Sequence, residues 1–307
     1  MSILIIAPNR DENIWKKSFI DYDPNIKVFN SRDTFDDESI DCVVVWNHPQ
    51  GVLKKYKNLK LIYSMGAGVD HVFNDSELPE DIPICKIVDD RLSFSMSNYI
   101  IMAILNYHRR FYKYQSDKKN KVWDQESNPE INLKIGILGF GILGKDAAEK
   151  LKKLNFDVIG YSLTKKEEKE IDVYFGNKID LFLSKINVLV CTVPYTKSTH
   201  SLLNKDLFNK LKTPTYLINV SRGKVHVEKD ILDGIESGKL TGAFLDVFEK
   251  EPLPKDSPLW KHPKIKITPH VASLTYAEES IRQALENYQR IKNGKKLINE
   301  VSRDKMY

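Results

Sequence analysis

Three cysteines, Cys42, Cys85 and Cys191, are all that occur in 307 residues, an odd number with no CxxC spacing. A disulfide framework and a paired-thiolate metal or redox site are therefore not indicated, and no metal site is expected. Cys42 and Cys191 lie inside apolar runs and read as small reduced core residues. That usage fits a reducing cytosol. Long hydrophobic runs are also missing. None reaches the ~18 apolar residues that a membrane span needs. The apolar run at residues 3–6 is too short for a signal peptide and has no basic flank, so a cytoplasmic protein without a membrane partner is expected. The charge lacks a dominant sign: the net value is +5, with Lys, Arg, Asp and Glu interspersed along the chain. No basic stripe with interleaved aromatics suggests a nucleic-acid partner; the mild positive excess suits anionic ligands. No fixed-period repeat or low-complexity tract occurs.

What is present is enough apolar surface for ordinary cores, 41% of residues, on a chain whose length suits two domains at ~150 residues each. Residues 2–7, 27–29, 42–46, 59–64 and 84–87 read as short strands separated by helical or polar stretches, which predicts a small α/β domain with a mostly parallel sheet. A long helical pattern follows over 93–118, and residues 115–129 read as a polar linker or arm. The second half again alternates strands (134–138, 156–161, 187–192, 215–219, 242–246, 264–267) with helices such as 145–154 and 229–237. An amphipathic helix over 275–293 is placed to return to the first domain. The expected architecture is α/β, two doubly wound parallel-sheet domains, with a Rossmann cofactor domain (96–274) inserted into a flavodoxin-like domain (1–95 plus 275–307).

The stretch Lys134-Ile-Gly-Ile-Leu-Gly139-Phe-Gly141-Ile142-Leu143-Gly144 carries the strongest chemical signal. It is a buried strand running into Gly-x-Gly-x-x-Gly and a helix. Gly139 permits the tight turn, Gly141 lets a pyrophosphate approach the backbone, and Gly144 lets helix and strand pack closely. The helix start then offers N–H groups to the phosphates. With the next strand this makes a β-α-β unit of about 30 residues, so dinucleotide binding is expected.

Three polar sites follow apolar strands in the second half: Asn219-Val220-Ser221-Arg222-Gly223, Asp246-Val-Phe-Glu-Lys-Glu251-Pro252 and Thr268-Pro269-His270. In an open parallel sheet, ligands bind beyond the carboxyl ends of strands. An arginine there grips a carboxylate and polarises a carbonyl. A histidine exchanges protons near neutral pH, and a carboxylate beside it favours its charged form. Singly, each has a plain structural alternative: a surface ion pair, a solvated loop acid, a histidine after a proline turn. Their order behind a dinucleotide fold sharpens the reading.

These motifs resemble the D-isomer-specific 2-hydroxyacid dehydrogenase family over nearly the whole chain. Within it, Trp46-Asn-His48-Pro49, Met65-Gly66-Ala67-Gly68-Val69-Asp70, Arg109-Arg110-Phe111 and Glu251-Pro-Leu-Pro254 with Ser257-Pro-Leu-Trp260 resemble bacterial glyoxylate/hydroxypyruvate reductases. The resemblance implies Arg222 on the substrate carboxylate, His270 as general acid and Glu251 as its partner. It implies further that Ala67, Gly68 and Val69 bind the substrate carboxylate through backbone N–H groups, in a nest where glycines suit because positive φ is cheap for them. Asp246, Val193, Pro194, Val220, Ser221 and Met96 fall where the family meets the nicotinamide. The subgroup carries a glutamate where this chain has Asn98.

An NAD-preferring site ends its second strand with an acid about 20 residues past the glycines. Here Tyr161 is followed by Ser162, Leu163, Thr164, Lys165 and Lys166, which predicts preference for NADP, with NAD possible; alternatively the lysines only start a charged helix. Trp46 narrows the substrate pocket for small 2-oxo acids, or is simply core. Other readings are a broader 2-oxo-acid reductase, a phosphoglycerate dehydrogenase, or a nicotinamide-sensing binding protein of the corepressor type. Closure of two domains over a cleft, and a homodimer with an arm at 115–129, complete the expectations.

Overall fold

The computed structural model describes residues 2–125 and 128–307; residues 126 and 127 of the expected arm lie outside the described residues. The chain divides into two compact units, Met1–Asp90 with Thr275–Tyr307, and Arg91–Leu274.

The first unit is built on a five-stranded sheet: β1 (Ser2–Ile6), β2 (Lys27–Asn30), β3 (Cys42–Val45), β4 (Leu61–Ser64) and β5 (Ile84–Lys86). Its order is β2-β1-β3-β4-β5, and each neighbouring pair is parallel. This is the flavodoxin-like order, whose switch point lies between β1 and β3. Every residue of β1, β3 and β4 is buried, as strands covered on both faces require. Helix α1 (Glu12–Tyr22) starts at Asp11, whose side chain accepts from the Asn13 N–H. A helix late in the chain, spanning Ala277–Lys292, packs on α1. The tail beyond it joins the sheet: Val301 N–H donates to the Ile84 carbonyl.

The second unit opens with α3 (Asp90–His108) and α4 (Phe111–Asn120); a single short turn, α2 (Asp70–Phe73), precedes them in the first unit. The single long helix expected over 93–118 is in fact two. Arg110 sits at φ +53, in the left-handed region, and ends the helical path between them. Residues 115–120, read as linker, are the second half of α4. Since α3 runs unbroken from Asp90, the divide falls at Asp90/Arg91 and not at 95/96.

The sheet of this unit has seven strands: β6 (Lys134–Leu138), β7 (Asp157–Ser162), β8 (Val173–Phe175), β9 (Val188–Cys191), β10 (Thr215–Asn219), β11 (Leu240–Leu245) and β12 (Ile265–Ile267). They lie in the order β12-β11-β10-β9-β6-β7-β8, all parallel. The chain reverses direction across the sheet between β6 and β9, the dinucleotide crevice of doubly wound folds. Strand β8, three half-buried residues in a charged stretch, was not expected. Alternate residues of the central strands feed two separate cores. Leu138, Leu189, Leu217 and Leu245 enter one, and Ile137, Val190, Ile218 and Phe244 the other, the two-residue period of a pleated strand. Helix α5 (Ile142–Lys153) buries Gly144, Ala147, Ala148 and Leu151, one helical stripe. Three lysines in its last turn complement the dipole.

Candidate active site

The glycine loop after β6 has the three properties expected of it. Gly139 has φ +104, and a Cβ there would stand 2.7 Å from the Val193 backbone nitrogen. The loops after β6 and β9 are thus in backbone contact. A Cβ at Gly144 would lie 2.2 Å from the Gly139 carbonyl oxygen, so any side chain would pry α5 off the strand. A Cβ at Gly141 would meet nothing within 4 Å, so the space beside this backbone is open. Ile142 is exposed and Leu143 half-buried. This cradle suits a dinucleotide pyrophosphate. Gly144→Ala is expected to lower stability by about 1–3 kcal/mol through overpacking, measurable by thermal and denaturant unfolding. Gly141→Ala, at an ordinary φ of −84°, should leave the melting temperature of the apoprotein unchanged and weaken dinucleotide binding about tenfold by calorimetry.

All the other polar positions also follow carboxyl ends of strands. Beyond β12, His270 Nδ1 meets Glu251 Oε2 at 2.7 Å. The Glu251 Oε1 accepts the Phe248 N–H at 3.0 Å, so the carboxylate is held at both oxygens. Burial pushes the Glu251 pKa up. The hydrogen bonds from His270 and Phe248 and the charges of His270 and Arg222 outweigh it, and the group sits below its ordinary value. With the Nδ1 proton committed to Glu251, the Nε2 side of the ring is the one left for a ligand.

The backbone of His270 is held with equal care. Its φ is +55, a left-handed conformation costing about 1–3 kcal/mol for a side chain of this kind. Asp246, after β11, supplies the restraint. Its carbonyl oxygen accepts the His270 N–H at 2.8 Å. Its carboxylate accepts the Thr268 hydroxyl (2.6 Å), the Val271 N–H (2.9 Å) and the Ala272 N–H (2.8 Å). The hydroxyl of Tyr99 on α3 donates in turn to Thr268 Oγ1. Asp246 is 1% exposed. Burial holds its pKa above the usual carboxylate value despite these three donors. Both of its oxygens are thus spent on the loop that carries His270, a function the sequence did not disclose. Tyr99 lies beside Ile100 and Ile101 in the apolar part of α3, and nothing in the sequence separates it from these neighbours.

Arg222 follows β10 in extended backbone, and its Nη1 donates to the Ser221 carbonyl at 2.8 Å. The next residue fixes where this loop lies: a Cβ on Gly223 would fall 1.7 Å from the Phe248 carbonyl oxygen. The Arg222 loop and the Glu251 loop are therefore packed backbone to backbone. Asn219, fully buried, ties the loop from within. Its Oδ1 accepts the Ser221 N–H and hydroxyl (3.0 and 2.8 Å), and its Nδ2 donates to His226 Nδ1 at 2.8 Å. Burial pushes His226 down to about 4, so its ring is neutral near pH 7 and Nδ1 is free to accept. Val220, Ser221, Val193 and Met96 are buried and Pro194 is exposed. Met96 and Val220 share one core with Ala272.

At the end of β7, Ser162 donates its hydroxyl to the Thr164 carbonyl. Thr164 and Lys165 are exposed, with Lys165 Nζ 2.6 Å from Glu167 Oε1. Residues 165–170 are not helical, which removes the alternative that the lysines merely start a charged helix.

In the first unit the loop after β4 is pinned from below. Ser64 Oγ contacts the carbonyls of Gly66 and Gly68, both at 3.1 Å, and His71 Nε2 at 3.0 Å. Ala67 and Gly68 are half-buried and Val69 is buried. None of these three spends its N–H on a hydrogen bond among the described residues. The reason expected for the glycines was wrong: neither Gly66 nor Gly68 has positive φ. Gly66 is instead required because a Cβ would lie 2.5 Å from the Trp46 ring.

Residues 101–272 match the family described as D-isomer specific 2-hydroxyacid dehydrogenase, NAD binding domain. The chain belongs to the D-isomer-specific 2-hydroxyacid dehydrogenase family. It is similar over its full length to glyoxylate/hydroxypyruvate reductase A of Escherichia fergusonii, 34% identical with 100% of each chain covered. The reductase of the same name from Yersinia enterocolitica is 33% identical, with 97% of each covered. Among solved structures, a family member from Xanthobacter autotrophicus in complex with NADPH and MES superimposes with a TM-score of 0.95 at 30% identity, covering 100% of this chain and 99% of the other. An NADPH-dependent glyoxylate/hydroxypyruvate reductase from Sinorhizobium meliloti, in complex with NADP and sulfate, gives 0.93 at 32%, with the same coverage. As a 2-hydroxyacid dehydrogenase the protein is an NAD(P)-dependent oxidoreductase, and the glycine loop, the paired His270 and Glu251 and the Arg222 loop all belong to its second unit. Among the described residues no helix is long and apolar enough to cross a membrane, and no cluster of metal-ligating side chains occurs.

Proposed function

We propose that this 2-hydroxyacid dehydrogenase reduces small 2-oxo acids, glyoxylate and hydroxypyruvate among them, with NADPH preferred over NADH. The reduced nicotinamide, when bound, supplies the hydride that the carbonyl carbon accepts. Arg222 grips the substrate carboxylate and polarises the carbonyl. His270 gives its Nε2 proton to the carbonyl oxygen as the C=O π pair becomes an O–H bond, and the ring ends neutral, its Nδ1–H still on Glu251. Glu251 fixes the orientation of the ring by accepting its Nδ1–H. Gly139, Gly141, Ile142, Leu143 and Gly144 carry the pyrophosphate. Met96, Val193, Pro194, Val220 and Ser221 surround the nicotinamide end, with Asp246 holding the loop beside it. In the first unit, the unspent N–H groups of Ala67, Gly68 and Val69 take an anionic group, beside Trp46.

The observation that carries this reading is the 2.7 Å pair between His270 and Glu251, on loops packed against the one that bears Arg222. NADPH preference is supported by the lack of an acid at the end of β7, where Ser162, Thr164 and Lys165 stand. The relatives whose structures contain NADPH or NADP support it too. Exposed Phe111, Val122 and Trp123, the last 86% exposed, support a homodimer through the second unit. Buried thiols at all three cysteines support a cytoplasmic setting.

Steady-state assays with both reduced cofactors test the reading. Glyoxylate and hydroxypyruvate are expected to oxidise NADPH with a kcat/KM at least tenfold above that for NADH. Equal or better use of NADH refutes the cofactor assignment. Tight NADPH binding with no turnover across a panel of 2-oxo acids refutes the enzymatic one.

A further inference from the structure

Asn219 ends β10 with its side chain fully buried, and its amide can face only one way. The Ser221 N–H is a donor alone, so the atom it meets at 3.0 Å is the amide oxygen. The Ser221 hydroxyl donates to the same oxygen at 2.8 Å. The amide nitrogen faces the opposite side. There it meets His226 Nδ1 at 2.8 Å and, at a longer 3.4 Å, the Arg222 carbonyl. An amide N–H requires an acceptor, so Nδ1 bears its lone pair and the proton of the neutral ring sits on Nε2. A doubly protonated ring, or the other tautomer, would set two donors against each other and turn the amide away from Ser221.

The ring is delivered from backbone anchored outside the Arg222 loop. The Leu203 N–H donates to the Val225 carbonyl at 2.9 Å, and the Val227 N–H donates to the Leu203 carbonyl at 3.1 Å, so the residues on both sides of His226 are tied to one distant position. The histidine is 1% exposed. Its Nε2 has no hydrogen-bond partner among the described residues, and a donor buried without a partner costs stability. A leucine would fill similar space without that cost, so packing does not account for a histidine here. The Glu251 carboxylate favours the charged ring, but burial outweighs it and keeps the ring neutral.

From the amide the restraint passes to Arg222. Ser221, held by Asn219 through both its N–H and its hydroxyl, offers its carbonyl to Arg222 Nη1 at 2.8 Å. Every group in this chain of contacts belongs to the second unit. We propose that His226 is a positioning residue for the substrate carboxylate: its Nδ1 lone pair sets the Asn219 amide, the amide sets Ser221, and Ser221 sets the Arg222 guanidinium. This rests on the reductase reading, in which Arg222 grips the carboxylate, and deepens it by a residue that acts through Asn219.

The test compares wild type, His226→Asn and His226→Leu, with NADPH and glyoxylate. Asparagine returns an amide oxygen to the place of Nδ1; leucine supplies bulk and no acceptor. His226→Leu should raise KM for glyoxylate about tenfold, within the ~100-fold that a misplacement of about 1 Å can cost, with a smaller fall in kcat. His226→Asn should recover most of the wild-type KM. An unchanged KM in His226→Leu overturns the inference, and so does a His226→Asn enzyme no better than His226→Leu. A fall in kcat at constant KM also overturns it, by assigning the ring to Glu251 and His270. Should both variants fail to fold, wild type alone decides: nitrogen NMR near neutral pH should show His226 protonated at Nε2 only, and a ring bearing a proton on Nδ1 overturns the inference. If wild type turns over no glyoxylate, the reductase reading falls by itself, and calorimetry with the carboxylate oxamate on the NADPH-bound protein takes over. His226→Leu should then weaken oxamate binding and His226→Asn should restore it. Equal oxamate affinity in wild type and His226→Leu, or none in wild type, overturns the inference.

Discussion

Replacing His270 with alanine should lower kcat for glyoxylate reduction by about 10²–10⁴, the usual contribution of a positioned general acid, with little change in NADPH affinity. The side chain is half-exposed at the end of a loop, so the fold does not depend on it. Its removal even relieves none of the backbone strain, because Asp246 holds φ at position 270 whatever the side chain. Glu251→Gln should show a smaller loss in kcat, since the amide oxygen still accepts from Nδ1–H and orients the ring, through a weaker hydrogen bond than the carboxylate makes. The carboxylate also carries a pH signature. Its folded pKa lies below the ordinary value, so it contributes stability that is fully present above the unfolded carboxylate pKa and lost as pH falls through the folded one. Wild type should therefore lose stability in that acid window more steeply than Glu251→Gln. Stopped-flow turnover and pH-dependent melting check the two halves. A His270→Ala variant within threefold of wild-type kcat removes the general-acid assignment.

Arg222→Gln should cost a further large factor, and in a different kinetic constant. Two charge-assisted hydrogen bonds from a guanidinium to a carboxylate are worth about 1.5–3 kcal/mol each, so kcat/KM should fall by about 10²–10⁴, with KM rising as well as kcat falling because the grip begins in the ground state. The amide keeps a donor and much of the length, which separates loss of charge from loss of packing. Gly223→Ala makes the complementary change: it leaves the guanidinium intact and forces its loop off the Phe248 carbonyl, where a Cβ would stand at 1.7 Å. It should raise KM in the same direction and lower stability. An Arg222→Gln enzyme with unchanged KM for glyoxylate would show that the carboxylate is bound elsewhere.

The parts of this protein that were legible in the sequence share one property: they are determined locally or by a simple period. Parallel strands buried on both faces, such as β1, β3 and β9, appear as unbroken apolar runs. Gly139 and Gly144 announce the turn after β6 because a Cβ at either would run into backbone. Residues 222, 251 and 270 could be singled out as candidates because their polar loops follow the apolar strands β10, β11 and β12. What was hidden depends on contacts between distant segments. Tyr99 reaches Thr268, and Thr268 reaches Asp246, so the restraint on His270 is assembled from three places in the chain. Gly66 is needed because of Trp46, twenty residues earlier, and was explained at first by a φ it does not have. The break at Arg110 is a backbone event at a left-handed φ, and the three residues of β8 pair with the edge of β7, a contact between segments that a short charged stretch does not announce.

Cocrystallisation with NADPH and oxamate, a non-reacting carboxylate of the size of the substrate, tests the central claim most directly. The account predicts the pyrophosphate on the loop of Gly139, Gly141 and Gly144, the Arg222 guanidinium on the oxamate carboxylate, and His270 Nε2 within hydrogen-bond reach, about 2.6–3.2 Å, of the oxygen that stands for the reacting carbonyl. A nicotinamide turned away from His270, or oxamate held without Arg222, would contradict it.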